Sequence, residues 1–139
     1  MLVSVIIPAL NEADNIAKCI QAARRDYSQE EIEIVVCDGG SRDGTLERIP
    51  AGVRIVRAPR GRATQMNHGA AMASGEIFLF CHADSQLPVD WRESVIETLR
   101  DPRVVGGAFQ TRYEPQRGLL LWLINHIRVP ADWRVIHGD

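Results

Sequence analysis

An α/β fold with a mostly parallel central sheet and flanking helices is predicted by three features of the 139-residue sequence. Continuous β-branched runs recur at Leu2–Ile7 and Ile32–Cys37, the composition of strands buried on both faces. Segments with apolar residues at helical spacing separate such runs. Strand and helix patterns alternate along the chain, which selects crossover connections over hairpins.

The elements follow in order. The first strand ends at Pro8, and Asn11 is placed to cap the next segment, where Ile16, Cys19, Ile20 and Ala23 fall on one helical face and Arg24 and Arg25 lie near its end. The second strand, Ile32–Cys37, runs into the turn Asp38-Gly39-Gly40-Ser41. Asp43–Ile49 reads as a short helix capped by Ser41 or Asp43. Val53–Arg57 is a third strand, followed by an Arg/Pro/Gly loop. Ala63–Ser74 is a helix of small residues suited to close packing on a sheet, and Gly75 ends it. Ile77–Cys81 is a fourth strand, Val89–Leu99 a helix with Trp91, Val95 and Leu99 on one face, Val104–Thr111 a fifth strand, and Gly118–Ile127 a final apolar helix.

Bulk properties narrow the function. Apolar residues make up 45% and charged residues 24%, values of an ordinary globular chain. The length suits one domain, 1–139. A net charge of −2 offers no basic field for nucleic acid. Cys19, Cys37 and Cys81 form no C-x-x-C pair and sit in apolar runs, so they read as buried reduced thiols in a reducing compartment. The N-terminus lacks the basic region of a signal peptide, and the longest apolar run, Leu119–Ile124, is too short to span a membrane. A cytoplasmic location is therefore expected.

In open parallel sheets, ligands bind beyond the carboxyl ends of the strands. Four consecutive strand ends here carry polar groups: Asn11 and Glu12; Asp38, Gly39, Gly40, Ser41 and Asp43; Arg57, Arg60 and Arg62; His82 and Asp84. Together they suit a nucleoside diphosphate. Carboxylates accept from base N–H or ribose hydroxyls, glycine amides approach a ligand closely, arginines pair with phosphate oxygens, and Asp84 offers oxygen to a hard cation. Each group also has a plainer use: Asp43 as a helix cap, Arg57 and Arg60 as solvated charges, His82 as a turn residue. Asn67, an amide in a small-residue helix, is placed to orient the arginine loop or to face solvent. No G-x-G-x-x-G follows the first strand, and neither a P-loop nor a G-x-S-x-G elbow is present.

Four segments in order carry a resemblance: Ser4–Glu12 (SVIIPALNE), Val36–Thr45 (VCDGGSRDGT), Gly61–Glu76 (GRATQMNHGAAMASGE) and His82–Ser85 (HADS). They resemble the family 2 inverting glycosyltransferases of the GT-A fold, a Rossmann-like architecture, over about residues 3 to 110. The H-A-D and G-R-x-x-Q-M-N-x-G segments are most similar to a bacterial subgroup, the selenium/radical-SAM-associated transferase 2 proteins. The resemblance implies that Pro8, Asn11 and Glu12 line a nucleotide pocket, that Asp38 accepts from a uracil-type base with Gly40, Ser41 and Asp43 close by, and that Arg62 and Asn67 border the diphosphate and sugar. It also implies that Asp84 binds Mn²⁺ or Mg²⁺, and that 1–112 is the nucleotide-sugar-binding part of the domain and 113–139 the start of its acceptor-side part. His82 stands where the first aspartate of a D-x-D motif is usual, the one that often contacts ribose.

The implied reaction is metal-dependent glycosyl transfer with inversion, from a nucleotide-diphosphate sugar of UDP type to an acceptor hydroxyl. The terminal His137-Gly138-Asp139 resembles the start of a G-D-Q-like segment, which makes Asp139 the candidate general base. Leu119–Ile127, with Trp122 and Arg128, reads as a core helix or as a segment lying against a membrane beside a lipid-linked acceptor; a homo-oligomer is left open. Two other readings compete: a nucleotide-sugar-binding module without transfer activity, and a nucleotidyltransferase, which normally carries a Gly-rich basic loop where this chain has Ala9-Leu10-Asn11-Glu12.

Overall fold

The structure is a computed structural model in which residues 1–110 and 136–137 are described. The elements are β1 (Val3–Ala9), α1 (Ile16–Arg24), β2 (Ile32–Asp38), a 3-10 turn (Leu46–Arg48), β3 (Arg54–Arg57), α2 (Arg62–Met72), β4 (Ile77–Phe80), α3 (Trp91–Thr98), β5 (Val104–Gly106) and β6 (Ile136–His137). They fall into two compact units, Met1–Trp91 and Arg92–Asp139.

In the first unit β1 to β4 form a parallel sheet in the order β3-β2-β1-β4. The register runs from Val3↔Ile32 to Ala9↔Asp38 on one side of β1 and from Val3↔Ile77 to Ile6↔Phe80 on the other. Val3, Val5, Ile6 and Ile7 are fully buried, as an unbroken apolar run in a central strand requires. Each such side chain contributes roughly 1.5–3 kcal/mol. The chain winds outward from β1 to β3, and α2 then returns it to β4 on the far side of β1. The winding reverses between β1 and β4, the place where a crevice opens in sheets of this kind.

Pro8 does not end the first strand, which continues through Ala9. Val3 N donates to Glu31 O, and Ala9 O accepts from Gly39 N, so odd-numbered residues of β1 bond toward β2. Ile6 O accepts from Cys81 N on the other side. The donor that Pro8 lacks therefore falls on the β4 side, beyond Ile6, the last residue β4 pairs.

The helices cover opposite faces. α2 lies over Ile6, Val35, Cys37 and Val56. A Cβ on Gly69 would sit 2.4 Å from Cys37 Sγ and 2.5 Å from Ile6 Cγ2, so only glycine lets the helix approach this closely. α1 buries Ile16, Cys19, Ile20 and Ala23, the face expected from their spacing. The indole of Trp91, fully buried, donates from Nε1 to Ala23 O at 3.2 Å and meets the Tyr27 ring edge-on. That contact fixes the chain after the His82 loop against the end of α1.

Three local expectations are corrected. Asn11 caps no helix: its φ is +57°, and α1 begins five residues later, after Asn15. Asp43–Ile49 forms only the 3-10 turn, because Pro50 forces Ile49 into an extended conformation (ψ 121°). The fifth strand is three residues long and pairs antiparallel with β6, Val104↔His137 and Gly106↔Ile136. The Gly106-Gly107 pair favours its early end. The helix expected at Gly118–Ile127 lies outside the described residues.

At the amino edge of the sheet, Glu33 accepts from Ser4 Oγ (2.7 Å), Ser74 N (2.7 Å) and Ser74 Oγ (3.3 Å) and pairs with Arg54 (3.4 Å). Burial pushes its carboxyl up, but the Ser74 amide, the Ser4 hydroxyl and Arg54 outweigh this and hold it below its ordinary range. The stabilisation is thus present above the unfolded carboxylate pKa, about 4.3, and is lost as pH falls through the folded value. Glu33→Gln should therefore lower the urea midpoint at pH 7 and flatten its decline below about pH 5; parallel acid limbs for variant and wild type would refute the role. Gly69→Ala should cost about 1–3 kcal/mol through overpacking, read from the same midpoints.

Candidate functional site

Three chain segments converge at the carboxyl edge of the sheet and line a cleft of about 270 Å³. Pro8, Ala9, Leu10 and Glu12 follow β1; Arg60, Gly61, Arg62 and Gln65 open α2; His82, Ala83 and Asp84 follow β4. The cleft lies where the winding reverses. α2 runs back from this edge, so its positive end and unpaired first-turn amides face the cleft. Arg60 and Arg62 are exposed and have no ion-pair partner among the described residues. Asp84 is exposed and, among the described residues, accepts only a long 3.5 Å bond from Ser85 Oγ.

Of the residues singled out in the sequence, Pro8, Glu12, Arg62, His82 and Asp84 line this cleft. Asn11, Asp38, Gly40, Ser41, Asp43 and Asn67 do not. Most of these lace the loop after β1 to the loop after β2. Asn11 N donates to Ser41 Oγ (2.9 Å) and Arg42 N to Asn11 Oδ1 (2.9 Å). Glu12 N donates to Thr45 Oγ1 (2.8 Å) and Ala13 N to Asp43 Oδ2 (3.1 Å). Asp43 Oδ1 also accepts from the amide and hydroxyl of Thr45, which is fully buried. The Thr45 hydroxyl, with the amides of Ala13 and Thr45, holds the Asp43 carboxyl below its usual range. Asp38, 2% exposed, accepts from the amides of Gly40 (3.0 Å) and Ser41 (3.1 Å), closing its own turn. The Glu12 carboxylate accepts from Asn15 Nδ2 at 3.0 Å.

Asn67 is exposed on α2. The amide that reaches the arginine loop is two residues earlier: Gln65, 4% exposed, donates from Nε2 to Ala9 O (2.8 Å) and Cys37 O (2.7 Å) and accepts at Oε1 from Gly61 N (3.3 Å). Its i, i+4 spacing with Gly69, on the one buried face of a weakly amphipathic helix, is the signal that would have found it. Arg60, for which the sequence leaves both a phosphate contact and a solvated charge open, lines the cleft. Asp139 lies outside the described residues, as do Trp122 and Arg128.

All three cysteines are free and buried. Cys19 Sγ lies 3.8 Å from Cys81 Sγ and donates to His82 O at 3.4 Å, tying the His82–Asp84 loop to α1. Cys81 and burial together push the Cys19 thiol far up, and burial raises Cys37 to about 11.

The glycosyl transferase family 2 model matches residues 4–134. The chain belongs to this family. It is 34% identical over 122 residues to glycosyltransferase AglE of Haloferax volcanii, a match covering 80% of this chain and 40% of that one. The mannosyltransferase PcManGT of Pyrobaculum calidifontis, solved with GDP-Man and Mn²⁺, superposes with a TM-score of 0.65 at 30% identity, over 73% of this chain and 33% of that chain. Glucosyl-3-phosphoglycerate synthase of Mycobacterium tuberculosis, solved with Mn²⁺, UDP and phosphoglyceric acid, gives 0.59 at 25% identity, over 70% of this chain and 38% of that chain. The fold of the family 2 domain is GT-A, and the chain spans about two fifths of the length of its Haloferax relative.

Buried thiols react slowly because a reagent cannot reach them, and this holds for Cys81, whose thiol the Cys19 contact holds below its ordinary value, as for the raised Cys19 and Cys37. In the folded protein a disulfide reagent should label none of the three cysteines within minutes at pH 7.5, and all three in denaturant; prompt native labelling would contradict the placement.

Proposed function

We propose that the cleft binds the nucleotide-diphosphate portion of a UDP-type sugar donor with a divalent cation, for inverting transfer of the sugar to an acceptor hydroxyl. The observation that carries this reading is the arrangement at the winding reversal. Two arginines with no ion-pair partner among the described residues and the positive end of α2 stand on one side of a cleft whose other wall offers an exposed carboxylate, Asp84. The Pyrobaculum and Mycobacterium proteins, solved with Mn²⁺ and GDP-Man or UDP, support it. The H-A-D and G-R-x-x-Q-M-N-x-G segments support assignment to the selenium/radical-SAM-associated transferase 2 subgroup.

The residues fit a cation that arrives with its nucleotide. No cluster of three or more ligating side chains occurs among the described residues, so the protein alone supplies no cage. Asp84 with diphosphate oxygens gives the hard, sparse ligand set usual for Mg²⁺; His82, two residues before it, adds an imidazole that suits Mn²⁺ better. When bound, the cation supplies Lewis-acid neutralisation of the leaving diphosphate.

Arg60, Arg62 and the α2 amides add fixed positive charge where the leaving group gains negative charge. Glu12, steadied by Asn15, accepts from ribose hydroxyls. Asp38 and Asn67 stand outside the cleft lining; on the family resemblance they would meet the base and the sugar where the donor extends beyond it. The bond from the anomeric carbon to the diphosphate oxygen breaks as the acceptor oxygen bonds to the opposite face. The acceptor proton passes to a carboxylate, a role proposed for Asp139.

Calorimetric titration of UDP, with GDP in parallel, tests the reading. Binding should need Mn²⁺ or Mg²⁺. Asp84→Ala should abolish that dependence, and Arg62→Ala should weaken binding about tenfold or more. Equal affinity in Mn²⁺ and in chelator would overturn the reading. Hydrolysis of a UDP-sugar by the same preparation would separate a transferase from a binding module.

A further inference from the structure

We propose that Gln65 is a positioning residue that sets the arginines of the α2 loop toward the donor; the proposal rests on the nucleotide reading above. Among the described residues Arg60 and Arg62 have no hydrogen-bond or ion-pair partner that would aim their side chains, so their direction is set by the backbone between them. That backbone is Gly61, whose φ of +142° is open only to glycine. Gly61 is held from both sides by one residue. Its carbonyl accepts from Gln65 N at 2.8 Å, and its amide donates to Gln65 Oε1 at 3.3 Å. This reciprocal pair resembles a capping box moved one position along the helix.

The other end of the same side chain is anchored to the sheet. Nε2 uses both hydrogens, one on Ala9 O and one on Cys37 O, at the last rung joining β1 and β2. Ala9 O already accepts from Gly39 N, so Gln65 takes its second lone pair. The first turn of α2 is thereby referenced to the two strand ends rather than to solvent. The side chain passes close enough to Gly39 that a Cβ there would lie 3.1 Å from its amide carbon.

No other side chain satisfies this site. It needs two donors on one atom and an acceptor on the neighbouring one, at the reach of glutamine. Methionine has the shape but leaves the Gly61 amide without its acceptor and takes from the Ala9 and Cys37 carbonyls the bond that Gln65 gives them. Glutamate sets acceptor oxygens against the carbonyls of Ala9 and Cys37 unless it is protonated, when one donor returns.

That last property gives the test. In the full chain, UDP affinity with Mn²⁺ is measured from pH 5.5 to 8 for wild type, Gln65→Glu and Gln65→Met, and each variant is expressed as a ratio to wild type at the same pH. Amide exchange at Gly61 is followed without nucleotide. Gln65→Glu should bind about tenfold more weakly than wild type at pH 8 and recover toward it as pH falls. Gln65→Met should be weakened by a pH-independent factor. Both should speed exchange at Gly61 while the core of β1 stays protected. Ratios within twofold of unity throughout, or faster exchange at Gly61 with unchanged affinity, would overturn the proposal. If Gln65→Glu fails to fold, Gln65→Met decides on the same two readouts. If wild type binds no nucleotide, the donor reading fails by itself, and unchanged exchange at Gly61 in the variants would still reject the clamp.

Discussion

The parallel ladder stops at Ala9 and Asp38, and the backbone groups beyond that edge must find partners other than strands. This constraint shapes everything above the sheet. Amides of Asn11, Glu12 and Ala13 are taken by side chains of the next loop, the Arg42 amide by Asn11, and those of Gly40 and Ser41 by Asp38. Gln65 does the same for the strand-end carbonyls. The loops are consequently rigid without being regular structure. The cleft can therefore keep its shape, since apart from the first-turn amides of α2 the loops that wall it are held by backbone that is already paired.

That accounting separates two kinds of motif residue. Asn11, Ser41, Asp43 and Thr45 spend their polar atoms on each other's loops, whereas among the described residues Arg60, Arg62 and Asp84 have almost none of theirs engaged. The first kind determines where the second kind stands. The tie between Cys19 and the His82 carbonyl belongs with the first: it fixes the strand end that delivers Asp84 without using any group the ligand needs.

The sheet was legible because burial on both faces leaves a continuous β-branched run, and the face of α1 because its buried residues recur at helical spacing. The convergence of strand ends on one edge was legible too, since parallel topology allows no other placement. What escaped was contextual. Asp43–Ile49 looks helical until Pro50 is weighed against Ile49. The strand at Val104 is shorter than its apolar residues suggest, with two glycines inside the expected span. Asn67 and Gln65 are both amides on one short helix, and composition does not say which faces the sheet. Only the position of Gly69, one turn further along the same face, distinguishes them.

The charge of the cleft bears on how the donor is held. Its lining sets two cations, Arg60 and Arg62, against two carboxylates, Glu12 and Asp84, beside the His82 imidazole. Such a site is close to neutral when empty, so a nucleoside diphosphate would bring in negative charge that the protein does not offset. Arg60 and Arg62 favour that charge on one wall, while Asp84 opposes it on the other unless a divalent cation lies between. On the donor reading, nucleotide and cation are therefore mutually dependent, each weak without the other. Asp84 then serves as much to exclude a diphosphate without its metal as to hold one with it.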